Sequence, residues 1–142
     1  VLQRMQYFYL NGTLNGYIQV ATGIAPAFAG TSDYRLKENI QDFTGSTDII
    51  KEIKVRSFNW KKDKDFNAVG FIAHELAEIL PIAVDGEKDA VDENGEPEYQ
   101  HVTDSRLIPY LTGALKDTIL KVETLEKTIV QLQDKIQQLE SK

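Results

Sequence analysis

Ser32-Asp33-Tyr34-Arg35-Leu36-Lys37-Glu38-Asn39-Ile40 is the stretch on which the reading of this chain turns. It sets a serine and a lysine five positions apart on a segment that reads as loop. It also marks a change of composition: residues 1–31 hold a single charged side chain, Arg4, whereas charges are dense from Asp33 onward. An apolar, glycine- and aromatic-rich piece meets a charged, helix-forming piece at one serine. On spacing alone the simpler reading is a cap. Ser32 or Asp33 would start a helical turn over 34–39, with Lys37 in solvent. The chemical alternative is a nucleophile and its base. A serine hydroxyl attacks a carbonyl only when a base removes its proton, and a lysine serves when burial or nearby positive charge lowers its pKa. Arg35 is a nearby cation that would push in that direction.

Before this stretch, residues 1–31 read as β-structure. Tyr7-Phe8-Tyr9-Leu10 precedes Asn11-Gly12, and Thr13-Leu14 precedes Asn15-Gly16 and Tyr17-Ile18-Gln19-Val20. Asn-Gly favours the positive-φ turns of tight hairpins, so two such turns predict very short strands. A meander this small cannot bury its aromatics alone; packing against copies of itself, as in an intertwined fibre, is the expected remedy. Ala21–Thr31, rich in small residues and holding Pro26, reads as an extended connector. The abrupt start at Val1 suggests the C-terminal part of a longer protein. Asn11-Gly12-Thr13 is formally a glycosylation sequon, but a turn is the preferred reading.

After it, the pattern alternates short helices and strands. Asp48–Ile53 reads as a helix, with Asp48 favourable in its first turn. Lys54–Trp60 reads as a strand with Phe58 and Trp60 on one core-facing side. Lys61–Phe66 reads as a charged turn, Ala68–Ile72 as a short buried strand, and His74–Leu80 as a helix stopped by Pro81. Ile82–Val84 follows as a further strand candidate. An acidic hairpin then turns at Asn94-Gly95 and returns through Tyr99–Val102. From Leu107 a heptad repeat begins. Positions a are Ile108, Leu115, Val122, Ile129 and Ile136; positions d are Leu111, Thr118, Leu125, Leu132 and Leu139. Lys121 with Glu126 and Lys135 with Glu140 fit the g-to-e pairs of a parallel coiled coil. The first two heptads suit packing back on the globular part; the last three need a partner helix. Isoleucine at a with leucine at d leans towards dimers, but the valine, leucine and threonine exceptions leave strand number open.

Composition narrows the function. At 142 residues, 42% hydrophobic and 27% charged, the chain suits one domain with an appendage and a modest core. The net charge of -6 argues against nucleic acid as a partner. Asp85–Glu98, with seven acids and one base, carries that whole excess. It reads as a solvated loop, because Asp92-Glu93-Asn94-Gly95 lacks calcium-loop spacing. Without cysteine there is no disulfide or thiol chemistry, which fits a reducing compartment. No apolar run spans a bilayer, and the first residues lack a signal peptide's basic start and apolar core. His74-Glu75-Leu76-Ala77-Glu78 has glutamate where a zinc-protease helix needs its second histidine. His101 is the other histidine, so no metal or other cofactor is expected. Counting leaves a Ser-His-Asp triad open, although neither histidine has a context that marks it.

Four ordered motifs shift the balance at Ser32. The stretch 32–40 resembles the opening signature of the intramolecular chaperone auto-processing family, found at the C-termini of phage tailspikes, endosialidases and tail fibres and in some membrane-bound eukaryotic transcription factors. The resemblance continues through Phe58-Asn59-Trp60, through Val69-Gly70-Phe71-Ile72-Ala73 with a helix and Leu80-Pro81, and through Ser105-Arg106-Leu107-Ile108-Pro109, and ends in a coiled coil. His74 stands where glutamine is usual, a departure outside the proposed chemistry. The resemblance implies an α+β chain: a β-rich fibre end at 1–31, a small mixed domain at 32–106 and a coiled coil at 107–142, in an intertwined homotrimer. It implies a C-terminal chaperone that templates folding of the preceding fibre or spike and then releases itself through a serine-lysine dyad. Ser32 matches the nucleophile and Lys37 the base; Asp33 and Arg35 match signature positions of less defined role. The implied setting is the host cytoplasm during assembly, with the N-terminal part kept in the virion and open to a host-surface receptor.

Ring size selects the bond. Attack by the Ser32 hydroxyl on the carbonyl before it closes a five-membered ring, whereas attack on its own carbonyl needs a strained four-membered one. Scission between Thr31 and Ser32 is therefore expected; attack from a neighbouring chain would instead cut after Ser32. Two other readings share these residues: a non-cleaving trimerisation module and a receptor-binding fibre tip.

Overall fold

The computed structural model describes residues 2–21 and 24–141 and separates into two compact units, Val1–Asp42 and Phe43–Lys142. The first unit is an antiparallel meander of β1 (Leu2–Leu10), β2 (Thr13–Ala21) and β3 (Ile24–Gly30), in that order. Asn11 and Gly12 close the first hairpin with φ of 50° and 77°, the left-handed geometry that a two-residue hairpin turn requires.

Two expectations are corrected here. Asn15-Gly16 is not a turn, and β1 and β2 are nine-residue strands. The register slips between Phe8↔Gly16 and Tyr9↔Leu14, so Asn15 is an extra residue in a bulge. Gly16 serves close packing instead: a Cβ there would lie 2.8 Å from the Ala29 carbonyl oxygen and 3.1 Å from the Phe28 ring. Nor is Ala21–Thr31 a connector, since Ile24–Gly30 pairs with β2 as an edge strand, the position where a sheet tolerates Pro26. Thr22 and Gly23 of that stretch lie outside the described residues.

The sheet is aromatic on both faces. Tyr7 stacks on Tyr9 and meets Tyr17 across the strands, while Phe8 meets Phe28, whose ring lies over Gly16. Tyr7, Phe8, Tyr9, Leu10 and Phe28 are all exposed.

The second unit is a mixed α+β body. Its elements are α1 (Ser46–Glu52), the hairpin β4 (Arg56–Trp60) and β5 (Asp63–Gly70), α2 (Ala73–Ala77), the short pair β6 (Val84–Asp85) and β7 (His101–Val102), and α3 (Ile108–Glu140). Leu76, Leu80, Ala83 and Leu107 form the buried core, with Ile53, Phe71, Val84, Val102 and Tyr110 packed on it. Pro81 opens a 3-10 turn over Pro81–Ala83 in place of the first residues of the expected strand. The acidic hairpin is present: Val91 bridges Pro97, and Gly95 has φ of 81°. The β4–β5 hairpin departs from expectation. Its turn is Lys61-Lys62 only, and the Asn59 amide donates to the Lys64 and Phe66 carbonyls across an irregular register. Phe58 and Trp60 meet edge-on, but Trp60 is 59% exposed and Val69 72% exposed. Trp60 and Val69 of this hairpin are therefore not core, because among the described residues of this unit none covers them.

The α3 helix, about 50 Å long, divides its faces between two tasks. Ser46 is buried against Gly113, where a Cβ would come within 2.8 Å of the Ser46 Cβ. The Thr47 hydroxyl donates to Asp117 Oδ2 at 3.0 Å, and Phe43 meets the Tyr110 ring edge-on at 5.5 Å. Tyr110, Gly113, Ala114 and Asp117 are the half-buried residues of α3, and in the heptad they are c, f, g and c. The globular part thus covers the side away from the seam, so the expectation that the stripe of the first two heptads packs back on it is corrected: Ile108, Leu111 and Leu115 stay exposed. Every apolar a and d residue is left 47–71% exposed.

One ion pair ties the β4–β5 hairpin to α2. Arg56 Nε and Nη2 donate to the two Glu75 carboxylate oxygens at 2.8 and 2.6 Å. These hydrogen bonds hold Glu75 below the usual carboxylate range, aided by the charges of Arg56, Lys54 and His74 against desolvation. A carboxylate with a depressed folded-state pKa adds stability above its unfolded value of about 4.3, and loses it as pH falls through the lower folded value. Glu75→Gln is therefore expected to lower the melting temperature at pH 7, with the gap closing on acidification below about pH 4. An equal gap at pH 7 and pH 3 contradicts the pairing.

Candidate active site

The site lies wholly in the first unit, at the end of β3. The β2–β3 ladder pairs Gly16 with Gly30 and runs one residue further. The Thr31 amide donates to the Asn15 carbonyl at 2.9 Å, and the Thr31 hydroxyl donates to the Leu14 carbonyl at 2.8 Å. Strand geometry stops there. Ser32 follows, and Asp33 starts a 3-10 turn over Tyr34–Leu36.

That turn is held by Asp33. Its Oδ1 accepts from the Arg35 amide and from Arg35 Nε, both at 2.9 Å, and its Oδ2 accepts from Arg35 Nη2 at 2.8 Å. Leu36 N donates to the Asp33 carbonyl and Lys37 N to the Tyr34 carbonyl. The Arg35 side-chain hydrogen bonds, then its backbone amide, hold the Asp33 carboxyl below its usual range, with the Lys37 charge acting in the same direction. The same pairing holds the Arg35 guanidinium above its usual value.

The turn brings the amine back onto the hydroxyl. Lys37 Nζ donates to Ser32 Oγ at 2.6 Å, within the reach that proton transfer requires. The sequence left two readings, a capped turn with a solvated lysine or a hydroxyl-amine pair. The structure combines parts of both: Asp33 caps, and Lys37 meets Ser32. Arg35 does not act as expected. Its guanidinium is engaged by Asp33, so the two form a locally neutral pair rather than a free cation beside Lys37. Ser32 and Lys37 are exposed, and only a neutral amine can accept the serine proton; burial is the general way to favour that form.

The hydrogen bonds of Thr31 were not legible in the sequence. They depend on the register of β2, which the Asn15-Gly16 bulge disguises. The hydroxyl-bearing side chain immediately before the serine was the one available signal. His74 lies in α2 and His101 in β7, both in the second unit. Asp92 Oδ1 accepts from the Asn94 and Glu96 amides, which makes it the cap of the acidic turn. Among the described residues, no group of three or more His, Cys, Asp or Glu is placed to hold a metal ion, and no helix is long and apolar enough to cross a membrane.

No curated protein matches the chain. A family model does: residues 32–85 match Peptidase_S74, described as chaperone of endosialidase. The matched segment opens on Ser32, includes Lys37, and takes in the Phe58–Trp60 and Val69–Pro81 motifs; Ser105–Pro109 lies beyond it. Residues 32–85 thus carry the match to the chaperone-of-endosialidase family, the family that the ordered motifs resembled.

Proposed function

We propose that this chain is the C-terminal intramolecular chaperone of a phage tail fibre or tailspike, which assembles as a homotrimer and then severs itself between Thr31 and Ser32. The observation that carries the reading is the 2.6 Å contact from Lys37 Nζ to Ser32 Oγ at the first residue of the family match. Asp33 and Arg35 fold the turn that makes this contact. The preceding β-structure is the folding client. Release leaves the N-terminal part in the virion, open to a host-surface receptor.

The step balances without a cofactor. Neutral Lys37 accepts the Ser32 hydroxyl proton as Oγ bonds to the Thr31 carbonyl carbon, closing a five-membered ring. Collapse breaks the Thr31–Ser32 C–N bond, and the Lys37 ammonium returns the proton to the leaving amine. Thr31 is now an ester on Ser32 Oγ. Water hydrolyses it to a Thr31 carboxylate and a C-terminal piece that begins at Ser32.

Assembly rests on α3. Its a and d residues are uncovered because the globular part occupies the c, f and g side. Two or more further copies, in parallel and matched by the g-to-e charge pairs, bury such a stripe. The aromatic faces of the sheet have the same need. Three chains fit both demands of the reading, an intertwined β-fibre and a coiled-coil clamp.

Ser32→Ala is expected to abolish cleavage and Lys37→Ala to slow it by about 10²-fold or more, each leaving the trimer folded. Wild-type cleavage in either variant removes that residue from the mechanism. Intact mass of the released pieces checks the bond, and a C-terminal piece starting at Asp33 contradicts Thr31–Ser32 scission. Leu125→Asp, which places a charge in the middle of the seam, is expected to give a monomer in sedimentation and to suppress cleavage. A trimer that survives this change shows that the seam is not the assembly surface.

A further inference from the structure

The Ser32–Lys37 contact is local. It spans five residues and rests on a turn closed by Asp33, Arg35 and Tyr34. A contact of that kind forms wherever the turn forms, whether or not the strands before it have found their register. The dyad alone therefore carries no information about the state of the sheet. If release is to follow folding, some group at the site must make a contact that exists only in the folded sheet.

Among the described residues, the hydrogen bonds that leave the 31–37 stretch are those of Thr31. Its amide and hydroxyl bond to Asn15 and Leu14 at the far end of the β2–β3 hairpin, with a separation of 17 residues for the hydroxyl. Thr31 also owns the carbonyl that Ser32 attacks. We propose that Thr31 is a positioning residue: its two bonds to the β2 carbonyls aim the scissile carbonyl at Ser32 Oγ only when β3 lies in its native register on β2. This rests on the self-cleavage reading and deepens it by naming the contact that reports folding.

Geometry favours the arrangement. The peptide between Thr31 and Ser32 is held on both sides, by the strand ladder on its acyl side and by the Asp33-capped turn on its amine side. Attack at a carbonyl is sensitive to displacements of about 1 Å, worth about 10²-fold in rate. An unpaired β3 leaves the turn and the dyad intact but frees the acyl side. A slip of one residue is equally effective, because it turns the threonine side chain to the opposite face of the sheet and parts the hydroxyl from the Leu14 carbonyl. Gly16 assists, since it lets the Phe28–Ala29 segment approach β2 closely just before the clamp.

The test uses the full chain with wild type, Thr31→Val and Thr31→Ser, followed by gel and intact mass, with sedimentation and melting measured on each. Valine keeps the shape and β-branching and removes the hydroxyl; serine restores the hydroxyl. Expected are a trimer in all three, cleavage of Thr31→Val slowed about tenfold or more, and Thr31→Ser within about twofold of wild type. Hydroxylamine, which cleaves the ester directly, should not rescue Thr31→Val, because the slowed step is the attack. Wild-type cleavage by Thr31→Val, a serine variant as slow as the valine one, or rescue by hydroxylamine each overturns the proposal while leaving self-cleavage in place. A wild-type chain that never cuts removes the self-cleavage reading and this inference together.

Discussion

A hydroxyl and an amine five positions apart, held 2.6 Å from each other by the Asp33-capped turn, set the problem that the rest of the chain must solve. The pair is cheap to form and stands in solvent. On the proposed reading the sheet supplies the target, through Thr31 and β2, and other chains supply the burial that favours a neutral amine. Both requirements would place the chemistry at the end of assembly, when strands are registered and neighbours are in place.

The two ends of the chain are incomplete in complementary ways. The sheet shows exposed aromatic side chains on both faces, the kind of apolar surface that marks an interaction site. The long helix shows an uncovered apolar seam because the mixed domain sits on its other side. A coiled coil forms from local contacts and forms fast, whereas intertwined β-structure has high contact order and registers slowly. On the proposed reading, joining chains through the helix would raise the effective concentration of the strands, and cutting afterwards would remove the route back and make the persistence of the fibre kinetic.

Several features were legible in the residues themselves. The heptads gave the helix from Ile108, Asn94-Gly95 gave the acidic turn, and Asn11-Gly12 gave the first hairpin. Four spaced motifs gave the family resemblance, and the match that begins at Ser32 takes in three of them. What was not legible depended on tertiary pairing. Asn15-Gly16 has the composition of a turn, and only the packing of Phe28 over Gly16 makes it a bulge within a long strand. Trp60 and Val69 have core chemistry, yet both stand exposed among the described residues. At the site, spacing alone favoured a cap and the resemblance pointed to Ser32 and Lys37, while the pairing of Arg35 with the carboxylate two residues before it was not foreseen. Thr31 gave no periodic signal, because its role is defined by the strand it reaches.

The central claim is that scission waits for chains to come together. The most direct measurement is the initial cleavage rate per chain over a dilution series, with the oligomeric state followed by sedimentation in the same samples. The account predicts a lag and a rate that rises steeply with concentration, levelling once every chain is assembled. A rate per chain that stays constant down to dilutions at which the protein is monomeric contradicts it.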